Sequence, residues 1–222
     1  MDTFRLVPAV IADTFEEMQE RLCVANQFAE RVHLDIMDGL FVATQSFHNA
    51  AQIATLSCPV ELEEHLMVFK PDRAIQDWLK TPAQRIIVHF ESSHKLDDVF
   101  RAIAAAGKKG FVALNPGTPV EFLETIQEPI DGVLAMTVHP GSYGNPFIPE
   151  VLTKIQEIKT KYPQWEVGID GGISPETLPQ VLDAGVRWIV SGSAIFKDPA
   201  KSPQEAYAAL KEIAAQYLQQ RA

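Results

Sequence analysis

The sequence is short of cysteine, of basic residues and of long apolar runs. Its two cysteines, Cys23 and Cys58, are too few for the disulfide framework of a small secreted protein, so both are expected to be reduced thiols. The 29 acidic residues outnumber the 19 basic ones and give a net charge of −10, which argues against a nucleic-acid partner. No apolar stretch is long enough to cross a bilayer, so no membrane partner is expected either.

The N-terminus also lacks the basic start, apolar middle and small-residue cleavage site of a secretory signal, which predicts a cytoplasmic location. No Gly/Ser-rich linker interrupts the 222 residues, of which 46% are hydrophobic and 22% charged. This length and composition are typical of a globular chain with a sizeable core. We therefore expect a single domain over residues 1–222.

Short β-rich runs alternate with amphipathic helical segments along the whole chain. Eight strands are predicted, at Leu6–Ala12, Val32–Met37, Val60–Val68, Arg85–Phe90, Gly110–Leu114, Gly132–Val138, Glu166–Ile169 and Trp188–Val190. Such alternation predicts a parallel sheet, and eight strands are the number that closes a TIM barrel. The expected fold class is therefore α/β, a single (β/α)8 barrel.

Helix boundaries are indicated by local signals. Glycines that follow a helix and precede a strand, Gly107 and Gly185, predict left-handed helix ends. Three residue pairs have the capping-box spacing of a helix N-terminus: Asp13 with Glu16, Thr118 with Glu121, and Ser202 with Glu205.

Polar residues interrupt the apolar pattern of three predicted strands. The period of two along a strand turns His33, Asp35 and Met37 into the barrel, and it turns His65 and Asp170 inward in the same way. Barrel enzymes carry their reactive groups at the C-terminal ends of the strands. Two imidazoles and two carboxylates that converge there form a donor set suited to a divalent metal ion. The sequence therefore predicts a metal site.

Glycine-containing turns follow the sixth, seventh and eighth predicted strands. Barrels that bind phosphate commonly do so after strands seven and eight, where backbone N–H groups point at the anion. A phosphate site here would supply local attraction in an otherwise acidic chain. The residues of these turns are Gly141, Ser142 and Gly144, then Gly171 and Gly172, then Gly192 and Ser193.

Two barrel chemistries are excluded by what the predicted strands lack. No lysine lies at the inward C-terminal end of a predicted strand, so a Schiff-base aldolase would have no nucleophile. The Asp-x-Lys-x-x-Asp pattern of the related barrel decarboxylases would need lysine where Met37 stands.

Six segments, in order over nearly the whole chain, resemble the ribulose-phosphate 3-epimerase family. They are His33–Gly39 (HLDIMDG), His65–Val68 (HLMV), Leu114–Pro119 (LNPGTP), Val138–Gly141 (VHPG), Asp170–Ile173 (DGGI) and Gly192–Phe196 (GSAIF). The resemblance implies a metal-dependent epimerase that inverts C3 of a ketose phosphate, with D-ribulose 5-phosphate and D-xylulose 5-phosphate as the expected pair. Family members commonly self-associate, so a homo-oligomer is expected.

The resemblance also implies residue roles. The metal ligands would be His33, Asp35, His65 and Asp170, and the two aspartates would be the acid and base that move the proton through an enediolate. Zinc is the expected ion, although ferrous iron, manganese and cobalt accept the same ligands. Methionines Met37, Met67 and Met136 would flank the reacting carbons, and Gly144, Gly171, Gly172, Gly192 and Ser193 would hold the phosphate.

The chain departs from the family pattern at positions that bear on substrate. Ala9 stands where serine is usual, Ala43-Thr44 where Pro-Asn is usual, and Ser142-Tyr143 where Phe-Gly is usual. Two alternatives therefore stay open: a 3-epimerase of a six-carbon ketose phosphate such as allulose 6-phosphate, and a phosphosugar-binding barrel without turnover.

Overall fold

Eight parallel strands close a barrel in a computed structural model that describes residues 4–57, 59–141 and 144–221. Each strand pairs with the next along the chain, and the last pairs with the first. The strands are β1 Arg5–Val10, β2 Arg31–Met37, β3 Glu61–Met67, β4 Arg85–His89, β5 Lys109–Leu114, β6 Gly132–Met136, β7 Glu166–Asp170 and β8 Trp188–Ser191. The predicted fold class and all eight predicted strands are confirmed.

Helical segments connect the strands on the outside. The α-helices are α1 Phe15–Ala25, α2 Ala50–Ile53, α3 Ile75–Trp78, α4 Leu96–Ala105, α5 Val151–Lys161, α6 Leu178–Asp183, α7 Ser193–Phe196 and α8 Pro203–Gln219. Short 3₁₀ segments cover Pro71–Arg73, Phe90–Ser92 and Val120–Thr125. None of the helices in the described ranges combines the length and apolar character needed to span a bilayer.

Two apolar layers lie on the two faces of the barrel sheet. Outward residues of β2 such as Leu34 and Ile36 pack in the large core between strands and helices. Inward residues such as Phe111, Leu134 and Trp188 form a smaller cluster inside the barrel. The alternation along β2 therefore turns its polar residues to the interior, as the sequence predicts.

The capping signals are confirmed in part. Ser202 and Glu205 form a capping box at the start of α8. Helix α1 is capped by Thr14, which accepts from Glu17 N–H, so the predicted start at Asp13 is wrong by one residue.

The predicted cap at Thr118 is also wrong. The segment after it is a 3₁₀ helix whose first residue is preceded by Pro119, with no side-chain cap. The Thr118 hydroxyl instead donates to Glu91, which lies on the neighbouring loop after β4. The predicted left-handed helix ends are confirmed, with φ of 71° at Gly107 and 74° at Gly185.

Candidate metal and active site

The predicted metal ligands converge inside the barrel. His33 and Asp35 lie on β2, His65 on β3 and Asp170 at the end of β7. The register pairs Asp35 with His65 on the neighbouring strand. All four side chains are buried, with exposures of 0% for both imidazoles, 6% for Asp35 and 8% for Asp170.

The separations between donor atoms suit ligands of one ion. One ligand atom of each residue lies within 4.8 Å of those of the other three. Asp35 Oδ1 is 3.3 Å from His33 Nε2 and 3.1 Å from His65 Nδ1. Asp170 Oδ2 is 3.9 Å and 3.6 Å from the same two nitrogens. Ligands that bind an ion at about 2.1 Å are separated by roughly 3 to 4 Å, so these distances fit.

The hydrogen bonding of the cluster also fits a metal. His33 Nε2 is fully buried and makes no well-aligned hydrogen bond among the described residues, although Asp35 Oδ1 lies 3.3 Å away. A buried imidazole nitrogen without a partner is costly unless a cation or another group satisfies it. The mixed nitrogen and oxygen set accepts zinc and several other divalent ions. The four residues could thus bind one metal ion.

The carboxyl groups of the cluster differ in proton affinity. Burial raises the pKa of Asp35, but His33 and His65 outweigh burial and hold that pKa well below its usual range. Burial and the negative charge of Asp35 raise the pKa of Asp170 to about 7. In the metal-free protein Asp35 is therefore the ionised carboxylate, and Asp170 can hold a proton near neutral pH.

The two imidazoles differ as well. Burial lowers the pKa of His33, but Asp35 and Glu63 outweigh burial and raise it to about 10. Burial, assisted by His89 and His33, lowers the pKa of His65 to about 4. His65 is therefore neutral at physiological pH, which is the form that binds a metal.

A buried carboxylate that we had not predicted supports His33 from behind. His33 Nδ1 lies 2.7 Å from Glu63 Oε1, which also accepts from Trp188 Nε1 at 3.1 Å. Arg85 Nε lies 3.2 Å from the other oxygen of Glu63, and Arg85 is 1% exposed. This arrangement keeps Nε2 of His33 turned toward the cluster.

A second histidine, also missed, lies behind His65. His89 is the last residue of β4, and its Nε2 lies 2.9 Å from His65 Nε2. Glu63 shares the inward face of β3 with His65, and His89 shares the inward face of β4 with Ile87 of the interior cluster. The period of two that identified His65 on β3 could therefore have identified both.

The predicted substrate residues line one cleft above the cluster. The cleft contains Asp35 and Asp170, and its walls include Ala9. Loops after several strands contribute, because the C-terminal ends of all eight strands meet at this end of the barrel. The predicted residues that line it are Met37, Met67, Met136, Gly141, Gly144, Gly171, Gly172, Gly192 and Ser193.

The glycine turns that line this cleft contain backbone N–H groups that bond to no backbone oxygen of the described residues. They are the N–H groups of Gly171, Gly172, Gly192 and Ser193. Gly171 and Gly172 have φ of 106° and 65°, a conformation that favours glycine. Free N–H groups at consecutive turn positions are a setting in which proteins bind anions.

The departures from the family pattern fall at different distances from the cleft. Ala9 lines it, whereas Ala43 and Thr44 are exposed and lie outside its wall. The predicted phosphate residue Ser142, with its neighbour Tyr143, falls outside the described residues, as does Cys58. Cys23 is an exposed free thiol on α1, as predicted.

Comparison with known proteins agrees with this geometry. Residues 5–196 match the model of the "Ribulose-phosphate 3 epimerase family". A ribulose-phosphate 3-epimerase of Schizosaccharomyces pombe is 32% identical over 221 residues, which cover 93% of this chain and 92% of that protein. The cytoplasmic isoform of the enzyme from Oryza sativa is 34% identical over 215 residues, covering 94% and 93%.

A solved structure supports the fold alone. The 3-hexulose-6-phosphate synthase of Salmonella typhimurium superposes with a TM-score of 0.71 at 15% identity, over 96% of this chain and 99% of that one. The match to the family model, and the 32% identity to a relative of which the alignment covers 92%, show the family as well as the fold. The chain belongs to the ribulose-phosphate 3-epimerase family and is a carbohydrate epimerase of the isomerase class.

Proposed function

We propose that the protein is a metal-dependent 3-epimerase that interconverts D-ribulose 5-phosphate and D-xylulose 5-phosphate. The observation that carries this proposal is the buried cluster of two imidazoles and two carboxylates at the mouth of the barrel, within reach of the cleft. The names of the relatives support the five-carbon substrate.

Asp35 and Asp170 are proposed as the two proton-transfer groups. Epimerisation at C3 removes a proton from one face of the carbon and delivers one to the other face, so it needs two groups that reach the substrate from different sides. The two aspartates lie on β2 and β7, which are separated in the barrel by β1 and β8, and both line the cleft. In one direction Asp35 accepts the proton and Asp170 donates one; in the other the roles exchange.

The metal would be held by His33, Asp35, His65 and Asp170, and zinc is the proposed ion. When bound, a divalent ion supplies positive charge that favours the enediolate and lowers the basicity required of the carboxylates. The buried Met37, Met67 and Met136 exclude water from the reacting carbons and adapt to either epimer, because thioether side chains are flexible and polarisable.

The phosphate is proposed to bind at the turns after β6, β7 and β8. The N–H groups of Gly171, Gly172, Gly192 and Ser193 support this assignment. Gly141, Ser142 and Gly144 would complete the site from the loop after β6.

Isotope exchange tests the proposed function. Purified protein is incubated with D-ribulose 5-phosphate in deuterated water, and deuterium at C3 is measured by NMR. Exchange is expected with the wild type and should fall at least about 100-fold in Asp35→Asn and in Asp170→Asn. Asp77→Asn, a change at an exposed aspartate on α3, is the matched control and should exchange normally. Full exchange in either site variant would defeat the two-aspartate assignment.

A six-carbon ketose phosphate is the second candidate substrate. Ala9 lines the cleft at a position where the family usually has serine, so a hydroxyl is missing there. The same assay with D-allulose 6-phosphate compares the two substrates. If the six-carbon sugar is the substrate, it exchanges faster than the five-carbon one, and Ala9→Ser shifts the ratio toward the five-carbon sugar. Binding of both sugars without exchange would indicate a barrel that lacks turnover.

We also propose that residues 1–222 form one domain and that the protein acts in the cytoplasm as a homo-oligomer, without nucleic-acid or membrane partners. The charge of −10 supports the absence of a polyanionic partner. Exposed apolar side chains at Leu40, Phe69 and Phe122 offer surface for self-association. The name of the Oryza sativa relative supports the location.

A further inference from the structure

A chain of hydrogen bonds leads from His65 to the surface of the barrel rim. His65 Nε2 lies 2.9 Å from His89 Nε2, and His89 Nδ1 lies 3.2 Å from Glu91 Oε2. The two imidazole planes are inclined by 23°, and the ring centroids are 4.9 Å apart. Both histidines are 0% exposed, whereas the side chain of Glu91 is 24% exposed.

Glu91, at the outer end of this series of hydrogen bonds, can only accept hydrogen bonds. Glu91 Oε1 receives the N–H of Asn115 at 2.9 Å and the hydroxyl of Thr118. Burial raises the pKa of Glu91, but His89, Thr118 and Asn115 outweigh burial and hold that pKa below its usual range. An ionised carboxylate offers no proton, so His89 Nδ1 must be the donor to it.

The next bond follows from that end by geometry. With the proton of His89 on Nδ1, its Nε2 is the acceptor for the Nε2–H of His65, which lies 2.9 Å away. His65 then has its lone pair on Nδ1, the nitrogen that lies 3.1 Å from Asp35 and 3.6 Å from Asp170. Nδ1 is the atom that faces the proposed metal position.

We propose that His89 and Glu91 are positioning residues that fix the tautomer and ring orientation of His65, so that it binds the metal through Nδ1. The inference rests on the proposed metal site and extends it. His33 is oriented differently, since its Nδ1 faces Glu63 directly and its Nε2 faces the cluster. The two imidazole ligands would therefore bind through opposite nitrogens, one supported by a carboxylate and the other by a histidine and a carboxylate in series.

Metal affinity of the purified protein tests the role of His89. Zinc affinity is measured by competition with a chromophoric chelator, and the visible spectrum of the cobalt-loaded protein reports the ligand geometry. His89→Phe keeps a ring of similar size beside Phe41, whose ring centroid is 4.7 Å from that of His89, but it removes both nitrogens. We expect it to weaken zinc binding about 10- to 100-fold and to change the cobalt spectrum.

Two further variants separate positioning from packing. His89→Gln should recover most of the affinity, because its amide can accept from His65 and donate to Glu91. Glu91→Gln should weaken zinc binding by about 10-fold. Its amide nitrogen can donate to His89 Nδ1, so His89 is no longer held with its proton on Nδ1 and the tautomer of His65 is no longer fixed. His94→Phe, the same change at an exposed histidine nearby, is the matched control and should bind zinc normally.

The tautomer itself is measured by ¹⁵N NMR of the zinc-loaded wild type. His65 is expected to be protonated at Nε2 and to bind zinc through Nδ1. Zinc bound through Nε2, or affinity of His89→Phe within about twofold of the wild type, would overturn the inference while leaving the metal site intact. A wild type that binds neither zinc nor cobalt would overturn the inference and the proposed metal site together.

Discussion

The buried carboxyl of Glu64 predicts a pH-dependent loss of stability that a single substitution should remove. Glu64 lies on β3 and is 0% exposed, on the outward face that it shares with Leu62 and Leu66 of the helix-facing core. Neither of its oxygens has a hydrogen-bond partner among the described residues. The nearby Thr81 hydroxyl donates to Trp78 O at 2.7 Å instead.

The magnitude follows from the pKa. Burial raises the pKa of Glu64 to about 8, against smaller opposing effects of Thr81 and Lys108. The usual value is 4.5, and each pKa unit corresponds to ~1.4 kcal/mol. Ionised Glu64 therefore costs the folded state on the order of 5 kcal/mol if the site stays closed, and less if it opens to water.

The sign is set by which state binds the proton. The unfolded chain loses this proton near pH 4.5, whereas the folded protein keeps it up to about pH 8. Between these values folding takes up a proton, so this contribution to stability falls as the pH rises through the window. Below about pH 4.5 Glu64 is protonated in both states and does not change the free energy of unfolding. Above about pH 8 it is ionised in both states, and the cost to the folded state no longer changes with pH.

Urea unfolding of Glu64→Gln and the wild type, both metal-free, measures this effect. The free energy of unfolding of the variant relative to the wild type should rise by a few kcal/mol between about pH 5 and about pH 9. Glu16→Gln, at an exposed glutamate of α1, is the control and should show no such trend. A difference between Glu64→Gln and wild type that is equal at both pH values would refute the reasoning.

Three other perturbations have defined outcomes. Chelation should lower Tm and abolish isotope exchange, and zinc at about 100 times its Kd should restore exchange and add ~2.7 kcal/mol of stability, measured by calorimetry. Glu63→Ala should cost about 3 to 5 kcal/mol in urea unfolding, because buried Arg85 and His33 lose their counter-charge; a loss under 1 kcal/mol would contradict the role given to this carboxylate. Gly172→Ala places a methyl group 2.9 Å from the backbone of Phe147, at a φ of 65° that favours glycine, so the turn must shift. KM for the sugar phosphate should therefore rise several-fold in steady-state kinetics. An unchanged KM would count against the phosphate site.

The sequence predicted the barrel and the four clustered residues because both depend on local patterns. Alternation along β2 and β3 decides which side chains face inward, and a parallel barrel brings the ends of its strands together. The predicted ligands therefore had to lie near one another once eight strands closed. The separations of 3.1 Å to 3.9 Å depend also on how the side chains of three different strands are oriented toward one another, which the pattern of a single strand does not show.

Contacts between distant segments explain what the sequence did not predict. The hydroxyl of Thr118 has capping-box spacing with Glu121, but Glu91 on a neighbouring loop accepts its proton instead. Alternation alone places Glu63 and His89 on the inward face, but their roles depend on partners from other strands, Trp188 and His65. At Asp13, the error of one residue arises because the next residue, Thr14, is also of a type that caps helices.

Anomalous diffraction from crystals of the zinc-loaded protein tests the metal site most directly. The proposed site requires one zinc peak per chain, within roughly 2.0 to 2.2 Å of His33 Nε2, His65 Nδ1 and a carboxylate oxygen each of Asp35 and Asp170. Zinc-loaded protein that epimerises the sugar phosphate but shows no peak among these four residues, or a peak elsewhere, would contradict it.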